Sequence, residues 1–278
     1  MNILDGKKLK SEILDNLKNE VGTLSLKPKM VVIQVGDDEA SNVYIRQKAK
    51  MAEYVGYSYQ HIKLAENITE DELLRVINEF NNDKSVHGIL VQMPLPSHIN
   101  TSKIQNAVAV NKDIDGLSDE NAGRLFHVKD GLYPCTPLGV IELLEAYNIS
   151  LEGKHAVVVG RSNLVGKPMS VMLTNMGATV TLCHSKTKDL AKYTKEADIL
   201  VVCVGKPRLI TEDMVKEGAV VIDVGINRLD DKLVGDIDYA NVYNKCAYIT
   251  PVPGGVGPMT VAMLGKNLLK AYKIQKEK

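Results

Sequence analysis

The sequence predicts an α/β protein of two domains, an N-terminal α/β domain and a Rossmann-like second domain, with a cleft between them. Two observations carry the prediction. Short apolar runs rich in β-branched residues alternate with segments of helical spacing almost throughout the chain. Those runs are nearly continuous in apolar residues, as strands of a parallel sheet are when helices cover both faces.

In order, the first strand is expected at 30–35 (MVVIQV), followed by a helix over 40–55 with Ser41 near its start. A strand at 57–64, a helix over 70–82 and a strand at 88–92 complete the first half. The chain divides near 134–150, where the loop in YPCTP leads into one helix over 138–147. Strands then fall at 156–160, 179–183, 199–205, 219–224 and 247–250, with helices over 168–176, 190–196 and 211–216. A last helix, from 259 to about 274, follows the loop TPVPGGVGP, and Pro258 suits its first turn. The expected division is 1–140, completed by a C-terminal helix returning to it within 258–278, and 141–257.

The 278 residues are 45% apolar, enough for two domains with cores of their own. Basic and acidic residues number 34 each, without long blocks of either sign, which argues against nucleic acid or an anionic membrane as partner. No window approaches the ~18 apolar residues of a membrane span, and the N-terminus has no apolar signal core. Cys135, Cys183, Cys203 and Cys246 are scattered without metal-ligand spacing. Reduced thiols in a cytoplasmic protein are expected, and no metal.

The stretch VVVGRSNLVGKPMS, residues 157–170, sits where a doubly wound sheet binds its ligand. It lacks the spacing and the Ser/Thr of a P-loop, having Lys167-Pro168 instead, so Mg²⁺-nucleotide chemistry is excluded. It also lacks the middle glycine of the dinucleotide fingerprint, where Ser162 stands. Gly160, Gly205 and Gly225 each end a strand, where glycine lets a ligand approach the backbone. Gly166 opens the next helix, whose N–H groups suit an anion. An NAD site usually places an acid about 20 residues beyond the glycines. Here TLCHSKTKD offers His184, Ser185, Lys186 and Lys188, and no acid before Asp189. With Arg161 beside Gly160, this set suits a 2′-phosphate and favours NADP over NAD.

In the first half, Tyr44 and Lys48 are four apart on one helix face. Gln92 places a neutral amide at the carboxyl end of an apolar strand, and NKDIDG puts Asp113 and Asp115 in a loop. Taken singly, each of these has an ordinary structural reading as a surface pair or a turn.

Together, YIRQK, GILVQMPLP, KDIDG, PCTP, GRSNLVGKP, DVGINR and TPVPGGVGPMT resemble the bifunctional methylenetetrahydrofolate dehydrogenase/cyclohydrolase family, in its order and spacing over essentially the whole chain. The resemblance implies NADP-dependent oxidation of 5,10-methylenetetrahydrofolate and hydrolysis of the methenyl product to 10-formyltetrahydrofolate. It places Lys48 on the catalytic lysine, with Tyr44 and Gln92 as partners and Asp115 holding the pterin. Pro253, Gly254, Gly255, Val256 and Gly257 fall on the loop that closes over the substrate. Gly160, Arg161, Ser162, Ser185 and Ile226 match cofactor contacts, and Thr136 in PCTP is placed with them. The resemblance further implies one-carbon metabolism feeding purine biosynthesis, and a homodimer formed through the cofactor domain. Two other enzyme readings stand beside it: a monofunctional NADP-dependent dehydrogenase, and a shikimate-type NADP dehydrogenase. The second leaves PVPGGVGPMT unexplained.

Overall fold

A computed structural model describes residues 2–276, apart from the side chains of Asn2 and Ala40. Met1 of the expected 1–140 segment, and residues 277 and 278 of the C-terminal one, lie outside the described residues. The chain forms two compact units, residues 11–135 with 261–278 and residues 1–10 with 136–260. The chain passes from one to the other inside helices Gly6–Gly22, Cys135–Ala146 and Val256–Lys276.

The first unit has a three-stranded parallel sheet with Lys29–Val35 at its centre, Ser58–Leu64 on one side and Gly88–Val91 on the other. Val31, Val32 and Ile33 are fully buried, so both faces of the central strand are covered and no polar alternation appears in its sequence. Helix Glu39–Val55 starts at Asp38, whose carboxylate accepts from Ser41 N at 2.7 Å, and stops at Gly56 in the left-handed region, φ +89°. Helix Glu70–Asn82 opens with a capping box between Thr69 and Glu72. Leu73 and Ile77 on its inner face pack with Ile33, Ile89 and Ile104.

The second unit is a six-stranded sheet with every pairing parallel. Its order is Thr179–Cys183, His155–Val159, Ile199–Val202, Val220–Asp223, Tyr248–Ile249 and Asn2–Ile3. The chain steps outward from His155–Val159 to Thr179–Cys183, then returns past it to Ile199–Val202. The strand order therefore reverses between His155–Val159 and Ile199–Val202, the place where such sheets bind ligands. The architecture is the expected α/β one with a Rossmann-like half.

Several elements differ from expectation. Helix Gly6–Gly22 is additional to the expected elements, with Ile13, Leu14, Leu17 and Val21 buried along one face. Helices Thr101–Ala107 and Asp119–Phe126 are likewise additional to the expected elements; they are short and capped by Asn100 and Ser118. The helix expected over 138–147 begins at Cys135, because Pro137 fits a first turn and does not exclude it. The segment 211–216 forms only the 3₁₀ turn Glu212–Met214, too short to nucleate an α-helix. A hairpin, Asn227–Leu229 with Lys232–Val234, turns at Asp230 and Asp231, both at positive φ. No helix among the described residues is long and apolar enough to cross a membrane.

Candidate active site

In the first unit three elements meet at one cluster. Helix Glu39–Val55 carries Tyr44 and, one turn later, Lys48. Gln92 directly follows strand Gly88–Val91 and continues its ladder, Gln92 N donating to Ile33 O at 2.8 Å. Lys48 Nζ donates to Gln92 Oε1 at 2.7 Å, and Gln92 Nε2 donates to Met93 O at 2.7 Å. Ser41 Oγ also donates to Met93 O, at 3.2 Å, tying the start of the helix to the same turn. Tyr44 is 42% exposed on the Lys48 face.

The two aspartates of KDIDG do different work. Asp113 is buried and accepts from Gly116 N (3.0 Å), Leu117 N (3.3 Å), Ser118 N (2.9 Å) and Asn121 Nδ2 (3.0 Å). It is the anchor of the loop. The negative charge of Asp115 acts on Lys48, and the Cys135 thiol, in the same cluster, donates to Ile114 O at 3.4 Å. Burial raises its pKa, with Lys48 pulling the other way. Burial likewise holds Lys48 below its ordinary 10.5, opposed by the negative charge of Asp115. A hollow walled by Leu90, Met93, Val108 and Leu117 opens beside Asp115.

By sequence alone Cys135 is only one of four scattered thiols. The structure buries it, and burial, with the charge of Asp115 adding to it, pushes its thiol well above the usual range. Its place in the PCTP motif was the available signal. Asn267 is a second residue that sequence reasoning missed. Its amide donates to Ile114 O and Tyr133 O, both at 2.9 Å, so the C-terminal helix fixes the loop that carries Asp115.

In the second unit the glycines have distinct roles. A Cβ at Gly160 (φ +127°) would stand 2.5 Å from Cys203 O, and one at Gly166 would stand 2.0 Å from Gly160 O. At Gly225 it would meet the Asp236 carboxyl at 2.2 Å. These three positions make room for the protein's own atoms. Gly205, at φ +66° and exposed, has nothing nearer than 4.0 Å and leaves an open place. The helix start expected to face an anion is partly occupied: Ser162 Oγ accepts from Val165 N (3.1 Å) and Gly166 N (3.4 Å). Lys167 is turned to Asn163, its Nζ donating to Oδ1 at 2.8 Å.

Arg161 and Ser162 remain exposed beyond strand His155–Val159, and Ser185, Lys186 and Lys188 are exposed beyond its neighbour Thr179–Cys183. The turn between them is closed by Thr187 N donating to His184 O at 2.8 Å. Cationic and hydroxylic groups at two adjacent strand ends, with no carboxylate among them, fit the 2′-phosphate of NADP. Ile226 is 46% exposed and lies 3.4 Å from the Cβ position of Gly257. Pro253 is exposed while Gly254, Gly255 and Val256 are buried, and the expected loop is shorter, because Val256 and Gly257 already belong to helix Val256–Lys276. The loop is held by Lys7 N donating to Gly254 O (3.1 Å) and Gly255 N donating to Pro251 O (2.8 Å). Thr136 shares a 3.0 Å hydroxyl contact with Thr260. The predicted residues thus form two sets, one in each unit.

Comparison with known proteins matches both halves. Residues 4–115 match the catalytic domain of tetrahydrofolate dehydrogenase/cyclohydrolase, and residues 134–276 match its NAD(P)-binding domain. A bifunctional protein FolD from Nautilia profundicola is 56% identical over 278 residues, 98% of each chain. The crystal structure of the FolD dehydrogenase/cyclohydrolase from Campylobacter jejuni has 51% identity and a TM-score of 0.97, covering 99% of both chains. The Trypanosoma brucei FolD, complexed with NADP cofactor and inhibitor, has 36% identity and a TM-score of 0.95 over 99% of this chain and 98% of that one. Shikimate dehydrogenase from Aquifex aeolicus, at 15% identity and a TM-score of 0.53 over 92% of this chain and 94% of that one, shares the fold alone.

Proposed function

Because the chain belongs to the tetrahydrofolate dehydrogenase/cyclohydrolase family, we propose that Lys48, Gln92 and Asp115 form the centre of its two reactions. The enzyme is bifunctional. It oxidises 5,10-methylenetetrahydrofolate to 5,10-methenyltetrahydrofolate with NADP⁺, then hydrolyses the methenyl product to 10-formyltetrahydrofolate. The cofactor, when bound, supplies the hydride acceptor.

Oxidation removes hydride from a carbon between two nitrogens whose lone pairs stabilise the cation left behind. That step needs alignment more than a strong base. Asp115 serves it by accepting the paired donors of the pterin's 2-amino-pyrimidinone edge, and Tyr44 lines the same face. Hydrolysis needs a base, since water must lose a proton as it attacks the cation. Lys48 fills that role only when neutral, and burial moves it in that direction. A cationic substrate lowers it further. Gln92 accepts one Lys48 N–H without adding negative charge, leaving the amine's lone pair for the water proton. The 2.7 Å Lys48–Gln92 hydrogen bond is the observation that carries this reading.

We assign the folate and the chemistry to 1–140 with 258–278, and the cofactor to 141–257, with Gly160, Arg161, Ser162, Ser185, Gly205 and Ile226 as its principal contacts. Gly166 and Gly225 support that surface by close packing, and Thr136 and the segment from Pro253 to Gly257, whose last two residues open helix Val256–Lys276, border it. The reading extends to a cytoplasmic homodimer formed through the cofactor half, supplying formyl groups to purine biosynthesis. Exposed Leu229 and Leu233 on its hairpin leave apolar surface for such a contact.

One assay tests the function: methylenetetrahydrofolate with NADP⁺, following the methenyl absorbance and its decay. Rise and accelerated decay are expected. No methenyl signal overturns the reading, and a signal decaying at the uncatalysed rate leaves a monofunctional dehydrogenase.

A further inference from the structure

The cofactor half holds two buried carboxylates that none of the steps above uses. Asp223 ends strand Val220–Asp223 and is 2% exposed; Asp236 follows the hairpin and is 0% exposed. Asp236 Oδ2 accepts from Val204 N (2.7 Å) and Gly205 N (3.0 Å), and its Oδ1 from Lys206 N (2.7 Å) and Asn227 Nδ2 (3.0 Å). Asp223 Oδ1 accepts from Gly225 N (3.1 Å) and Asp236 N (2.9 Å), and Oδ2 from Ile237 N (2.9 Å). Two glycines admit the pair. A Cβ at Gly225 would stand 2.2 Å from Asp236 Cγ, and one at Gly235 would stand 1.8 Å from Asp223 Oδ2.

Three consecutive backbone N–H groups converging on one pair of oxygens is an arrangement that holds anions. Here an internal carboxylate fills it. The loop after strand Ile199–Val202 therefore has no N–H left at 204–206 for a cofactor phosphate, and its path through the open position at Gly205 is set by Asp236. The fourth donor, Asn227, adjoins the exposed Ile226. We propose that Asp236 is a positioning residue for the cofactor. It holds the 204–206 loop and Asn227, and through them Gly205 and Ile226, in the shape that receives NADP⁺. This rests on the function proposed above. Burying two carboxylates side by side is costly, and burial, with the charge of Asp236 adding to it, pushes Asp223 up to about 7. The seven N–H donors offset that cost and tie three loops to one point.

Asp236→Asn keeps the shape but turns one acceptor into an NH₂ facing N–H donors. Its dissociation constant for NADP⁺, by titration calorimetry, is expected to rise about tenfold or more, as for loss of a charge-assisted hydrogen bond. The dehydrogenase KM for NADP⁺ should follow. Hydrolysis of added methenyltetrahydrofolate takes no cofactor and should keep its rate. An NADP⁺ affinity unchanged within about twofold overturns the proposal, as does a parallel loss of hydrolysis, which marks Asp236 as a support of the whole fold. Asn227→Ala removes one donor and leaves the loop amides in place. It should weaken NADP⁺ by more than about twofold, and an unchanged affinity there overturns the proposal even if Asp236→Asn does not fold. Absence of methenyl formation by the unaltered enzyme would refute the function instead and is read separately.

Discussion

Lys48 Nζ meets Gln92 Oε1 at 2.7 Å, and the Gln92 amide nitrogen is itself held by Met93 O at 2.7 Å. The second bond decides which end of the amide faces the lysine. Rotating the amide would set an N–H donor against the lysine's N–H groups and an oxygen against the Met93 carbonyl. Lys48 is thereby offered a neutral acceptor on one side, while the negative charge of Asp115 is the main one opposing its deprotonation.

Gln92→Glu adds a second negative charge at hydrogen-bond distance and should raise the Lys48 pKa. Burial holds that pKa below 10.5, so the hydrolytic rate should climb with pH as the amine loses its proton, on a limb below 10.5. In the variant the limb should move to higher pH and hydrolysis near neutrality should fall. A pH–rate profile identical to the parent's removes Gln92 from the control of Lys48.

Lys48→Ala should abolish cyclohydrolase activity, a loss of at least ~100-fold for a missing general base. Hydride transfer should fall less, because it depends on alignment. Single-turnover formation of the methenyl species and its decay measure the two steps separately. Undiminished hydrolysis would take Lys48 out of the mechanism.

Arg161→Ala should raise KM for NADP⁺ about tenfold or more while changing KM for NAD⁺ little, since only the former carries the phosphate that a guanidinium pairs. Initial rates with each cofactor decide it. Equal effects would refute the 2′-phosphate assignment.

Asp113→Ala should destabilise the folate half without touching a reacting group. It leaves four buried or half-buried N–H donors of the 116–121 segment without their acceptor. A cost of about 2–4 kcal/mol is expected. Urea unfolding followed by circular dichroism measures it, and a change below about 0.5 kcal/mol would contradict the anchoring role.

Much of the fold was legible because local signals and the tertiary structure agree. Helix Glu70–Asn82 has its capping box at Thr69 and Glu72 and apolar residues on one face, so its start could be read from adjacent residues. The strands stood out because a sheet covered on both faces leaves an unbroken apolar run. Helix Gly6–Gly22 carries a similar periodic signal, and 211–216 carries a weak one that extends over a single 3₁₀ turn. Lys48, Gln92 and Asp115 could be named from their motifs.

Their division of labour could not. In KDIDG the two aspartates look alike, yet Asp113 is turned onto backbone N–H groups within its own loop, while the charge of Asp115 acts on Lys48, 67 positions earlier. Gly160, Gly205 and Gly225 look alike as strand ends. Only Gly205 is open, because Cys203 and Asp236 fill the spaces at the other two. Alone, the chain's sequence determined most of the element types, the strand–helix alternation and the candidate side chains, all of which arise from residues a few positions apart. Which groups face one another, and so which carboxylate meets the lysine and which holds a loop, was decided by tertiary packing. Those contacts join residues distant in the chain and leave no periodic trace in it.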